Sequence, residues 1–472
     1  MSVNTYKLTI NGEDVTTEQF LDVVNPATGI SIAHAPDASR ADLDRAVEAA
    51  RVAFPKWRAT PPAERNRMLK EAAGVLVKNA DALKRLLTSE QGKPHGEAEF
   101  EVMGAAFWLS SFAGMEMPHM VNEDTPERLS ETIRVPVGVV AGISPWNFPV
   151  LLSFWKIAPA LAAGNTMVLK PSPFTPLTML RIAELLQGVF PPGVLTIITG
   201  GDALGPWMTA HPGFDKVSFT GSTATGKRVM ASAAADLKRI TLELGGNDAA
   251  IVLPDVDIAA TAQALFWAAF RNTGQICIAT KRLYIHADIY DALTQAIVDY
   301  ARTVKVGDGA DQGTQLGPVQ NGLQYTRVVE LIEDSKAQGY KFLLGGDIEQ
   351  GDGFFVPITI IDNPPEASRI VQEEPFGPIL PILKFDDVED VIARANASEY
   401  GLAGSVWSND VDAARMIAER METGTVWINE VQHLTPFQPF AGHKQSGIGV
   451  ENGVSGLLEY TVAQTITVKR AV

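Results

Sequence analysis

The stretch VPVGVVAGISPWNFPVLLSFW, residues 135–155, carries no charged side chain over a length close to that of a membrane-spanning helix. Two architectures compete for it: one apolar helix in a bilayer, or a buried strand, a turn and a core helix. Pro136, Pro145 and Pro149, with Ser144 and Asn147 among them, break any single helix. Each interior proline removes a backbone hydrogen bond and clashes with the preceding turn. The strand–turn–helix reading fits, and it predicts an α/β protein.

The flanking chain repeats this pattern. Short apolar runs at 137–143, 166–169, 195–198 and 217–219 alternate with the helical segments LLSFWKIAPALAAG and PLTMLRIAELLQGVF. Alternation of this kind gives a doubly wound, Rossmann-type parallel sheet. A second set follows residue 277 (RLYIH, YDALTQAIVDYARTV, ILPILKF and VEDVIARANA) and predicts a second α/β domain. Upstream, Ser39 and Asp42 form a capping-box pattern, and Leu43, Ala46, Val47, Ala50 and Phe54 follow helical spacing. PPAERNRMLKEAAGVLVKNADALKRLL reads as one or two more amphipathic helices, and the tail GLLEYTVAQTITVKRAV is β-rich.

A chain of 472 residues exceeds one compact core, so two or three domains are expected. With 46% hydrophobic and 20% charged residues the composition is that of a soluble globular protein. The formal charge of −16 argues against nucleic acid or an anionic membrane as partner. A single Cys excludes an internal disulfide and suits a reducing, cytoplasmic setting; the N-terminus lacks the pattern of a secretory signal. No metal is expected.

Four segments carry chemistry. FTGSTATGKRVM, 219–230, reads as a strand end, a small-residue turn and a helix opening near Thr225. Backbone amides at that helix start, approached closely past Gly221 and Gly226, suit a pyrophosphate, although tight strand–helix turns look the same. In VLKPSPFTP, Lys170 stands at the carboxyl end of a buried strand, where α/β sheets place ligands. It suits ribose hydroxyls or a phosphate, or else simply caps the strand. In ITLELGGNDAA, burying Glu243 would raise its pKa as a general base requires, whereas strand alternation is equally consistent with a Glu243 turned to solvent. In FRNTGQICIATKR, 270–282, a lone Cys277 is by default a small core hydrophobe. The polar turn leading into it argues otherwise, and a helix starting there would aim its amides at the thiol and favour thiolate.

Together these segments resemble the aldehyde dehydrogenase superfamily over nearly the whole chain. SPWNFP (144–149), KPSPFTP (170–176), FTGSTATG (219–226), LELGG (242–246), GQIC (274–277), EEPFGP (373–378) and PFAGHKQSGIG (439–449) occur in order, and Glu243 and Cys277 lie 34 positions apart (277 − 243). The resemblance implies an aldehyde-dehydrogenase-like fold: a cofactor domain over 1–116 and 137–245, and a catalytic domain over 246–445. It also implies a small β oligomerisation region over 117–136 and 446–472, and hence a homodimer or homotetramer.

By position, Cys277 resembles the family's nucleophile. Asn147 matches the side chain that joins the Cys277 N–H as oxyanion hole, and Glu243 the base that releases the acid from the thioester. Glu451 matches a second acid, plausible as a proton relay. Lys170 and Glu374 resemble the contacts to the two riboses of NAD. Phe376 matches the aromatic beside the nicotinamide ribose, Ser222 within Gly221–Gly226 the pyrophosphate contact, and Trp146 a position lining cofactor and oxyanion region. Many NAD-preferring relatives have Glu where this chain has Pro173; with a neutral Ser172 beside it, discrimination against NADP should weaken. NAD is still the favoured cofactor, with NADP possible. Phe148, Leu151, Trp155, Ile276, Ile278, Leu434 and Phe440 match the aldehyde tunnel and favour a hydrophobic or aromatic substrate. Arg271 resembles the carboxylate anchor of succinate-semialdehyde dehydrogenases, but its second basic partner falls at Trp155; Gln432 and His433 add polarity at the mouth. A thiol hydrolase would need no Glu243 or ribose motif. A non-catalytic relative would lack Cys277, Glu243 or Asn147.

Overall fold

The computed structural model describes residues 4–349 and 351–470. Residues 135–155 divide as their prolines require: the strand Val139–Ile143, a loop holding Asn147, and the helix Leu151–Ala162. Among the described residues no helix is long and apolar enough to cross a membrane.

Five parallel strands form the centre of the first sheet, in the order Arg239–Glu243, Lys216–Thr220, Val139–Ile143, Thr166–Lys170, Leu195–Ile197. Antiparallel Gly447–Ile448 closes one edge, and Leu8–Ile10 followed by Glu13–Val15 the other. Val139, Ala141 and Ile143 point into one core while Val140 points into the other, so both faces are covered. The chain runs outward from Val139–Ile143 through two strands, then returns to its other side at Lys216–Thr220. That reversal is the crevice where open α/β sheets bind ligands.

The second sheet has six parallel strands in the order Thr359–Asp362, Ile379–Phe385, Thr280–His286, Asp248–Val252, Ala403–Trp407, Thr425–Ile428, with Lys341–Leu344 antiparallel at one end. Its two faces feed separate cores. A third sheet pairs Thr461–Lys469 with Arg128–Pro136, which in turn pairs with Met120–Asp124.

The helix Arg40–Ala59 carries the expected capping box at Ser39 and buries Leu43, Ala46, Val47 and Ala50. The following segment forms two helices, Pro62–Lys78 and Ala80–Gln91. The turn at 221–222 is shorter than expected: the helix Thr223–Ala233 starts two residues before Thr225, because the Ser222 hydroxyl accepts from the Thr225 N–H at 3.3 Å and caps it.

Candidate active site

Cys277 stands in a turn between the short helical segment Arg271–Gly274 and the strand Thr280–His286. No helix begins at this turn, contrary to the expectation of amides aimed at the thiol. Instead Asn272, Thr273 and Gly274 hold φ of 49°, 58° and 72° in succession. A threonine in that region is strained by about 1–3 kcal/mol. The surroundings hold it there. Thr273 Oγ1 donates to the Gly317 carbonyl at 2.9 Å, and Gln275 Nε2 donates to that of Asn272 at 2.9 Å. Gln275 Oε1 accepts from the Gln320 N–H at 2.8 Å. A Cβ on Gly274 would fall 2.2 Å from the Gly377 carbonyl oxygen, so the turn admits no side chain there. Burial pushes the Cys277 thiol up to about 12, with Asp248, Glu374 and Glu243 adding to the rise and Lys281 opposing it. The resting group is therefore a thiol.

Asn147 is buried, and its Nδ2 donates to the Gln275 carbonyl at 2.9 Å, beside the cysteine turn. Its own carbonyl accepts from Lys93 Nζ at 2.8 Å and Asn272 Nδ2 at 3.2 Å. Lys93 forms a wholly buried pair with Glu101 at 2.6 Å and lies 3.7 Å over the Phe148 ring. Glu101 also accepts from the Val150 and Leu151 N–H groups, at 2.8 and 3.2 Å, supplying the negative charge that a helix start favours. Lys93 and Glu101 thus fix the Asn147 loop. Sequence reading missed both.

Glu243 ends its strand buried, not turned to solvent, in register with Thr220. Neither carboxylate oxygen has a hydrogen-bond partner among the described residues. Burial, then the charge of Glu451, push its pKa well above the usual carboxylate range, against the attraction of Lys156.

Cys277, Asn147, Glu243 and Glu451 all line one cavity of about 290 Å³. Phe148, Leu151, Trp155, Ile276, Ile278, Leu434 and Phe440 form its apolar wall, with Arg271 and Gln432 among the polar groups. Trp155 stacks on Trp108 at 5.4 Å and meets Phe440 edge-on at 5.6 Å. His433 is the exception: it does not line the cavity, and its backbone carbonyl accepts from Trp427 Nε1 at 3.1 Å. A whole wall was missed as well: Glu97, Phe100, Gly104 and Trp108 on one face of the helix His95–Phe112. Their spacing is helical, yet glutamates and apolar residues are mixed around that helix, so no single stripe marks the cavity face.

At the carboxyl ends of the first sheet lie Lys170, Ser172, Gly221 and Ser222, with Gly226 in the capped helix. A Cβ on Gly226 would meet Leu244 at 2.4 Å, so glycine lets this helix pack close against the sheet. Burial drives Lys170 down to about 8, and among the described residues its Nζ has only the Pro171 carbonyl, at 3.4 Å. Across the crevice, Trp146 meets Phe376 edge-on at 5.3 Å. Glu374 accepts from the Gly246 N–H at 3.2 Å and lies 3.3 Å from Lys281. Among the described residues no group of three or more His, Cys, Asp or Glu is placed to hold a metal ion.

The family model for the aldehyde dehydrogenase family matches residues 13–466, and the chain belongs to that family. It is 42% identical over 469 residues to aldehyde dehydrogenase LUC3 of a Fusarium species, covering 99% of each chain. It is 39% identical to phenylacetaldehyde dehydrogenase of Pseudomonas fluorescens, over 98% of this chain and 96% of that one. The NAD+ complex of an aldehyde dehydrogenase from Bacillus cereus superposes with a TM-score of 0.96 at 36% identity, over 99% and 97% of the two chains.

Proposed function

We propose that the protein oxidises an aldehyde with an apolar, aromatic or alkyl body to its carboxylic acid, with NAD as the favoured hydride acceptor. The observation that carries this is the convergence of Cys277, Asn147 and Glu243 on one cavity walled by aromatic and aliphatic side chains. Glu243, in its basic form, takes the thiol proton. The Cys277 sulfur then attacks the aldehyde carbon, and the oxygen becomes an oxyanion held by Asn147 Nδ2 and the Cys277 N–H. NAD, when bound, would supply the acceptor for the hydride lost from the carbon, and the Cys277 adduct is then a thioester. Glu243 hands the thiol proton onward through Glu451 and Lys156 and, basic again, removes a proton from water, which hydrolyses the thioester; the Cys277 sulfur leaves and takes that second proton back as the resting thiol. The residues fit the dinucleotide: Lys170 is a buried cation with an almost unused donor set, and Ser222 sits at a helix start that suits pyrophosphate. Glu374 and Phe376 would hold the nicotinamide ribose, and Trp146 the wall beside it. The phenylacetaldehyde and NAD+ relatives support the same reading.

A semialdehyde reading rests on Arg271 at the cavity wall. It is disfavoured by Glu97 on the same wall: burial raises its pKa against the charges of Lys93 and Arg271, and whenever it is ionised it competes with a substrate carboxylate for Arg271. For assembly, we propose a homodimer or homotetramer built through the strand Thr461–Lys469, most of whose residues are exposed.

The test is reduced-nicotinamide formation with NAD and NADP separately, on phenylacetaldehyde, benzaldehyde, a medium-chain alkanal and succinate semialdehyde. Preference for the apolar aldehydes is expected. Preference for the semialdehyde would transfer the assignment to Arg271, and silence on all would defeat the reading.

A further inference from the structure

Lys281 is buried, with 2% of its surface exposed. Its Nζ donates to the carbonyls of Ile276 at 2.9 Å and Cys277 at 2.6 Å, and reaches that of Ala279 at 3.4 Å. Three carbonyls of the nucleophile turn therefore converge on one ammonium. The first has a geometric consequence: the Ile276 C=O and the Cys277 N–H belong to one planar peptide and point in opposite directions. Pinning that carbonyl on Lys281 fixes the direction of the Cys277 N–H, the backbone donor of the oxyanion hole. Donation to the carbonyl also polarises the peptide and strengthens that N–H.

The fourth partner is Glu374, 3.3 Å away, itself half-held by the Gly246 N–H at 3.2 Å. Asp248 lies in the same buried cluster; its Oδ1 accepts from the Ala403 N–H at 3.2 Å while Oδ2 has no partner among the described residues. The charges facing Cys277 are then Lys281 from the strand that follows its turn, Asp248 from the strand paired with that one, Glu243 from the end of a strand in the first sheet, and Glu374 from the segment across the crevice. Arg282 faces Asp248, and Arg327 faces Glu374. Lys281 alone among these opposes the rise of the thiol pKa.

We propose that Lys281 is the positioning residue of the nucleophile turn: its ammonium orients the Cys277 N–H and supplies the positive field in which the thiolate forms, and its pairing with Glu374 links that field to occupancy of the dinucleotide site. The link rests on the proposed role of Glu374 in holding the nicotinamide ribose. With the carboxylate hydrogen-bonded to ribose, less of it compensates Lys281, and the thiolate gains.

The chain holds one cysteine, so alkylation of the full-length protein by iodoacetamide reports a single thiol. Its rate is to be followed against pH, with and without NAD, alongside the ultraviolet absorbance of the thiolate. Lys281→Met should move the profile to higher pH and slow alkylation near neutrality by roughly tenfold, one pKa unit. NAD should shift the wild-type profile to lower pH and leave that of Lys281→Met in place. Lys281→Arg should retain most of the wild-type behaviour. Glu374→Gln, without dinucleotide, should alkylate faster than wild type; this variant keeps the test alive if Lys281→Met does not fold. A folded Lys281→Met with the wild-type profile, or a slower Glu374→Gln, overturns the proposal. Turnover by Cys277→Ala would instead defeat the functional reading, and the alkylation profile of Cys277 would still judge Lys281.

Discussion

The ammonium of Lys156 lies 2.5 Å from the carboxylate of Glu451, a pair wholly withdrawn from solvent between residues 295 positions apart. Lys156 also donates to Thr220 Oγ1 at 2.7 Å, and Thr220 is the register partner of Glu243. The pair therefore stands directly behind Glu243 and sets its charge environment.

Removing one member leaves the other buried and uncompensated. Lys156→Met should lower stability by about 3–5 kcal/mol, read by denaturant unfolding. Glu451→Gln separates the electrostatic effect. The Glu451 charge raises the pKa of Glu243, so neutralising it lowers that pKa and brings the basic form in at lower pH. The rising limb of thioester hydrolysis should move to lower pH, with a reduced plateau if Glu451 relays the proton. A limb that moves upward would contradict this arrangement.

Glu243→Gln removes the base from both proton steps, so the first hydride should form slowly and turnover should stall at the thioester. Rapid mixing should show slow formation of about one equivalent of reduced nicotinamide per site followed by still slower turnover. Cys277→Ala should bind dinucleotide and form none. A full steady-state rate in Glu243→Gln would remove Glu243 from the role of base.

The Trp108–Trp155–Phe440 wall predicts where substrate discrimination resides. Trp155→Ala should cost about 1–3 kcal/mol of transition-state binding for phenylacetaldehyde, roughly 10- to 100-fold in kcat/KM. Acetaldehyde, too short to reach the ring, should be far less affected. Equal losses for both would mean that the mutation disturbs the cysteine turn rather than the pocket.

Two measurements address the dinucleotide. Pro173→Glu should weaken NADP binding by about tenfold or more through repulsion of the 2′-phosphate, with NAD retained. Burial holds Lys170 near 8, so its charge is present below that pH and lost above it. Dinucleotide affinity should fall as pH rises through about 8, more steeply for NADP, and Lys170→Met should flatten the fall. Calorimetric titration across that range checks both.

Much of this protein was written in local pattern. The prolines of residues 135–155 divided strand from helix, the Ser39–Asp42 pair capped the first long helix, and alternating apolar runs predicted two parallel sheets. Such features depend on neighbours within a turn or a strand, so sequence alone determined them. It also fixed the residue types on which the proposed chemistry rests, with Cys277, Glu243 and Asn147 marked by their surrounding motifs. What it left open was every property that depends on distant residues. Whether Glu243 faced solvent or core was undecided until the strand, Glu451 and the Leu151–Ala162 helix closed around it. The Lys93 support of Asn147 and the Glu374 partner of Lys281 follow no local rule, because packing brings together residues far apart in the chain. The cavity face of His95–Phe112 was hidden for the same reason. On a helix whose charged and apolar residues are mixed around its axis, the surface that lines the cavity is chosen by its neighbours, and only the tertiary structure supplies them.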